Sequence, residues 1–117
     1  MDAAVRADYR RHPEAARRLV VYGSLAPGEQ HADLLAPLKG AWEACRIRGH
    51  IDRSGPYPFF HPDDGGPWQE ALLFRSPGLQ AHWPALDRFE GDEYVRCLVE
   101  AVTAKGCLRA TVYAAYS

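Results

Sequence analysis

Apolar residues along this chain come in short blocks whose period changes from one block to the next. Leu19-Val20-Val21-Tyr22, led by Arg18, is continuous and β-branched, which predicts a short buried strand. Between Gln30 and Lys39 the spacing of Leu34, Leu35 and Leu38 is helical, with Gly40 as the stop and Pro37 placed to shorten it. From Trp42 to Ile51 the pattern alternates: Cys45, Ile47, Gly49 and Ile51 fall on one face, Arg46, Arg48 and His50 on the other. That is a half-buried strand. Residues 52–67 are rich in Pro, Gly and Asp and read as a long irregular loop holding an apolar island, Tyr57-Pro58-Phe59-Phe60. Trp68 to Phe74 predicts a further strand. Ser76-Pro77 then marks a helix start, with a face of Leu79, Trp83, Leu86 and Phe89 and a stop at Gly91. Pro84 interrupts that face, which predicts a kink or a helix starting near His82. Tyr94–Thr103 and Cys107–Ala115 read as strands of a hairpin turning at Ala104-Lys105-Gly106.

This order of elements, with few helices and hairpin connections, predicts an α+β domain with a mixed, mostly antiparallel and barrel-like sheet. A chain of 117 residues suits one domain with one core. Residues 1–18 stand apart as a polar, alanine-rich extension, a solvated helix or loose tail with a break at His12-Pro13. Its five arginines (Arg6, Arg10, Arg11, Arg17 and Arg18) are diluted by Asp2, Asp8 and Glu14, and no aromatic platform lies beside them, so a nucleic-acid arm is disfavoured. A protein-interaction role for this segment is the reading kept open. Residues 19–117 make up the domain proper.

Charge and cysteine content narrow the chemistry. A net charge of −1 provides no field to recruit nucleic acid or a membrane surface. No apolar run approaches the ~20 residues that span a bilayer, and the first residues lack a signal-peptide core, so the expected location is cytoplasmic. Cys45, Cys97 and Cys107 are odd in number and show no C-x-x-C spacing, which argues against a disulfide framework and a zinc site. All three are expected to be buried thiols. His31, His50, His61 and His82 show no ligand spacing and receive no role.

Two stretches are candidates for chemistry. In Tyr22-Gly23-Ser24-Leu25-Ala26-Pro27-Gly28, a strand ends on a glycine that permits a tight turn and close approach of a ligand to the backbone. Amides clustered there would hold a carboxylate or a developing oxyanion. The other reading is a plain turn. In Leu86-Asp87-Arg88-Phe89-Glu90-Gly91, Glu90 falls at the negative end of a helix, which raises a carboxylate's pKa toward what a general base needs. Phe89 and Trp83 would add desolvation. The other reading is a surface residue beside a glycine stop.

Taken together, the two stretches resemble the gamma-glutamylcyclotransferase-like, or AIG2-like, family. The resemblance rests on Tyr22 to Leu25, on Leu86 to Gly91 followed by Tyr94 and Arg96, on Tyr57-Pro58 in mid-chain, and on the closing Ala110-Thr111-Val112-Tyr113. It implies a small mixed β-barrel with a few helices around it. It also implies a reaction in which the alpha-amine of a gamma-glutamyl substrate attacks its own gamma-carbonyl, releasing 5-oxoproline and an amine or amino acid, without metal or cofactor. Glu90 matches the family's catalytic glutamate. The amides of Gly23, Ser24 and Leu25 would hold the alpha-carboxylate or oxyanion, and Tyr22, Tyr113 and Tyr57 would line the pocket.

The chain departs from the family pattern in three places. Gln30-His31 stands where the family often has Asn-His, Gln69-Glu70-Ala71 where it often has Gly-Glu, and Pro84 is unusual in the late helix. None removes the base or the amide loop. Arg96 shares a strand face with Tyr94 and has two readings: it binds a substrate carboxylate, or it pairs with Glu90, Asp87 or Glu93. The alternative to an enzyme is a binding module that holds a small gamma-glutamyl or acidic metabolite in the same pocket without cleaving it.

Overall fold

The structure, a computed structural model, describes residues 3–116, so the extreme ends of the extension and of the domain set out above lie outside it. Helix α1 spans Ala3–Arg11 and a 3-10 turn follows at Pro13–Arg17. The strands are β1 (Arg18–Val21), β2 (Ala41–Asp52), β3 (Phe59–Pro62), β4 (Trp68–Arg75), β5 (Tyr94–Thr103) and β6 (Gly106–Ala115). Helix α2, Leu79–Glu90, connects β4 to β5.

The strands run in the order β3-β2-β4-β1-β6-β5, and a pairing of β2 with β5 at Arg46 and Val102 closes five of them into a barrel. The sixth, β3, lies outside on β2. All pairings are antiparallel except β1 with β6. The expected mixed, mostly antiparallel barrel is the observed fold.

Strand alternation divides the core in two. Val20, Ile47, Leu73, Val99 and Val112 fill the barrel together with Phe60. Their neighbours Leu19, Val21, Phe74 and Tyr113 face outward and are covered by Leu79, Trp83 and Leu86 of α2. Burial of each of those three α2 side chains contributes about 2 kcal/mol, enough to seat the helix firmly on β1 and β6.

The structure departs from the sequence pattern in several places. Gln30–Lys39 forms no α-helix; it contains one 3-10 turn, Ala32–Leu34. Ala36 precedes Pro37, which disfavours α geometry there, yet Leu35 is buried all the same. The irregular region contains β3, because Phe60 enters the barrel. Gly49, in the inward row of β2, makes room for it: with φ 152°, a Cβ there would lie 2.7 Å from the Phe60 ring and 2.3 Å from the His61 carbonyl oxygen. Helix α2 runs through Pro84 from Leu79. Pro84 and Gln80, whose carbonyl loses its in-helix partner, are both exposed, so that carbonyl is open to solvent. Cys45 is buried, but Cys97 is half-buried and Cys107, beside the hairpin turn, is exposed.

Candidate active site

The pocket forms where β1 ends. Past Val21 the chain turns: the Ala26 N–H donates to the Gly23 carbonyl (3.1 Å) and the His31 N–H to the Ser24 carbonyl (2.8 Å). Those bonds use the carbonyls of the turn. The N–H groups of Gly23, Ser24 and Leu25 have no acceptor among the described residues, and all three residues line the pocket. Pro58 closes on this turn from the other side. A Cβ on Gly23 would sit 3.1 Å from its Cγ, so only glycine allows the present spacing.

The Tyr57-Pro58-Phe59 segment is in turn fixed by β5. The Tyr94 hydroxyl donates to the Pro58 carbonyl (2.8 Å), and the Phe59 and Tyr94 rings stack 4.6 Å apart. Tyr22 acts as a bridge: its hydroxyl donates to the Tyr113 carbonyl and accepts from the Phe60 N–H at 3.2 Å. That bond satisfies backbone groups of β6 and β3 across the pocket floor. Burial pushes the pKa of the Tyr22 and Tyr113 hydroxyls well above the ordinary phenol range, so both stay neutral.

Helix α2 ends at the pocket with Glu90. Gly91, at φ 80°, terminates the helix and its N–H donates to the Asp87 carbonyl (3.0 Å). Glu90 is raised to about 7, first by burial and second by the neighbouring Asp87 carboxylate. Arg96 does not relieve it. Its guanidinium meets Asp87, Nε to Oδ1 and Nη2 to Oδ2, both at 2.9 Å, and the Tyr113 hydroxyl donates to Asp87 Oδ1 at 2.7 Å. Arg96 is 8% exposed and lies over the Trp83 ring, so of its two readings the structural ion pair is the observed one.

Tyr22, Gly23, Ser24, Leu25, Tyr57, Tyr113 and Glu90 therefore surround one cavity of about 440 Å³. The sequence reading missed several neighbours. Phe89, read as part of the helix's apolar face and as a desolvating neighbour of Glu90, is 37% exposed and lines the cavity beside Glu90, edge-on to His31, whereas Trp83 is buried away from it. His31, Phe59, Glu93 and Tyr94 line it as well. Adjacency to the motif residues was the available signal for Phe89, Glu93 and Tyr94; for His31 it was its place at the family's Asn-His step. Glu90 and Glu93 are the acidic residues of the lining, which contains no Lys or Arg. The unpaired amides of the β1 turn are backbone hydrogen-bond donors at this cavity.

Comparison with known proteins decides the family. Residues 19–117 match the family described as gamma-glutamyl cyclotransferase, AIG2-like. The chain belongs to that family. Among solved structures, YkqA from Bacillus subtilis is similar at 26% identity with a TM-score of 0.69, over 85% of this chain and 35% of that one. The chain thus spans about a third of YkqA's length. The uropathogenic E. coli-specific protein c4763 shares the fold at 18% identity and TM-score 0.68, over 86% of this chain and 80% of that one. A mouse AIG2-like protein shares it at 17% identity and TM-score 0.65, over 86% and 79%. No curated protein matches the chain in sequence. The family match starts at residue 19, so α1 and the Pro13–Arg17 turn lie ahead of the family region.

Proposed function

We propose that the protein is a gamma-glutamyl cyclotransferase that cleaves a gamma-glutamyl amide by cyclisation. The supporting observation is Glu90, a carboxylate raised to about 7, facing the same cavity as the unpaired amides of Gly23, Ser24 and Leu25. In this reading the amides hold the anionic end of the substrate or the oxyanion. Ionised Glu90 takes a proton from the substrate's alpha-ammonium. The freed amine attacks the gamma-carbonyl of the same molecule and closes a five-membered ring. Protonated Glu90 then returns the proton to the departing nitrogen as the C–N bond breaks. The ring nitrogen sheds its second proton to the same carboxylate, which passes it to the departing amine; the products are 5-oxoproline and an ammonium, and the carboxylate is restored.

A group near 7 serves both steps, because at neutral pH both protonation states are well populated. Folding of the substrate into a reactive curl supplies much of the acceleration, and the aromatic walls of Tyr22, Phe59 and Tyr94 favour that compact shape. No step calls for a metal or cofactor.

The test is incubation of purified protein with a panel of gamma-glutamyl amines and gamma-glutamyl dipeptides, with 5-oxoproline measured by mass spectrometry. Release by the wild type and loss of release in a folded Glu90→Gln variant is the expected result. Equal release by the variant would overturn the mechanism. Tight binding of a panel member that is recovered intact would establish the binding module instead.

A further inference from the structure

The segment ahead of the family region is tied into the domain at several points. Val5 of α1 is buried, as are Ala15 and Ala16 of the turn. The Tyr9 hydroxyl donates to Thr111 Oγ1 on β6 (2.8 Å), and the Thr111 hydroxyl donates in turn to the Ala15 carbonyl (2.8 Å). The Trp83 indole N–H of α2 donates to the Ala16 carbonyl (3.1 Å). The Ser76 N–H, just ahead of α2, donates to the Arg17 carbonyl (2.9 Å). Three successive carbonyls of one short turn therefore accept from β6, from α2 and from the lead-in to α2.

Tyr9 has a second contact. Its ring centre lies 5.9 Å from the Arg96 guanidinium carbon, which is 5.0 Å from the centre of the Trp83 ring. Arg96 is thus flanked by an aromatic ring from α1 and another from α2, and its polar edge is committed to Asp87. Removing the α1 ring opens that guanidinium to water. An ion pair that gains water on one partner weakens and loses its fixed geometry. Asp87 is one helical turn before Glu90, and its carbonyl accepts the Gly91 N–H that ends the helix.

We propose that residues 3–17 are a positioning strap for the catalytic helix. Tyr9 and the Pro13–Arg17 turn lock Trp83 and Arg96 against the barrel, and through Asp87 this holds the last turn of α2, and Glu90 with it, in the pocket. The functional half rests on the role proposed for Glu90; the structural half does not. Tyr9 is a positioning residue, since it does not line the cavity.

The test uses full-length Tyr9→Leu and Tyr9→Phe. Leu removes the ring and the hydroxyl but keeps an apolar side chain; Phe keeps the ring over Arg96. Two readouts are taken: kcat and KM for 5-oxoproline release, and NMR hydrogen exchange at the Gly91 amide and the Arg96 Nε–H. Tyr9→Leu is expected to lower kcat about tenfold with KM within about twofold, because displacement of a catalytic group costs turnover rather than ground-state binding. Exchange at both protons should quicken, and Tyr9→Phe should restore most of both effects. Wild-type kcat in folded Tyr9→Leu would overturn the strap's part in catalysis, and unchanged exchange would overturn the strap itself. If the wild type turns over no panel member, the proposed function falls and the strap is judged on exchange alone: faster exchange in Tyr9→Leu upholds it, unchanged exchange rejects it.

Discussion

Asp87 and Arg96 form a two-point ion pair, 2.9 Å at each oxygen, one helical turn before Glu90. The consequence is a division of labour between two carboxylates three residues apart on α2. Asp87 takes the arginine and the Tyr113 hydroxyl and is committed to structure. Glu90 takes neither, and its proton affinity is set by burial and by the charge Asp87 presents to it.

Asp87→Asn is accordingly predicted to move the acid limb of the pH–rate profile below 7. The variant removes a negative neighbour and leaves the Arg96 charge uncompensated, and both changes lower the Glu90 pKa. Stability should fall by about 2 kcal/mol, less than for a fully buried pair, because the Asp87 side chain is 40% exposed. Denaturant unfolding and a pH series of initial rates check the two parts.

Glu90 should also make folding pH-dependent. Its folded value of about 7 lies above the ordinary 4.5, so the native state binds the proton more tightly than the unfolded chain does. Its contribution is therefore favourable at and below pH 4.5 and is lost as pH rises through 7. Glu90→Gln removes that loss. The variant should be more stable than wild type above pH 7 by up to about 3 kcal/mol, with the difference shrinking toward pH 4.5. Thermal melts at pH 5 and pH 8 measure the change; an equal shift at both would contradict a raised folded value.

Tyr22→Phe tests the bridge beneath the pocket. The ring remains, but the Phe60 N–H and the Tyr113 carbonyl lose the hydroxyl they share. A cost of about 1–3 kcal/mol is expected on urea unfolding, since two inward-facing backbone groups are left without that partner.

Gly23→Ala tests how closely the amide turn and the Tyr57-Pro58 segment must approach. The new methyl would start 3.1 Å from Pro58 Cγ, so one side must shift by a few tenths of an ångström. Gly23 has no left-handed backbone angle, so strain of that kind is not part of the effect. Turnover should fall at least tenfold while the melting temperature drops by only a few degrees. A large loss of stability with full activity per folded molecule would place the constraint in folding, not in the pocket.

Much of this protein was legible in its sequence because much of it is local. The alternation of Cys45, Ile47 and Gly49 with Arg46, Arg48 and His50 is a backbone property, and β2 buries the first set and exposes the second as the pattern requires. The Gly91 stop, the closing hairpin and the position of Glu90 at a helix end are local as well. Tertiary structure decided the rest. Phe60 made a strand out of an apparent loop because a barrel with Gly49 in its wall had space for a ring. Phe89 left the core face for the cavity, where His31 meets it, and no spacing along the chain encodes that contact. Which acid Arg96 would choose was open among three neighbours until the barrel set β5 against α2 and the Tyr113 hydroxyl added its bond to Asp87. The packing of Tyr9 and the Pro13–Arg17 turn likewise depends on partners about 70 to 100 residues away, at Trp83 and Thr111. Periodicity reports what a segment must bury; only the closed barrel determines what it is buried against.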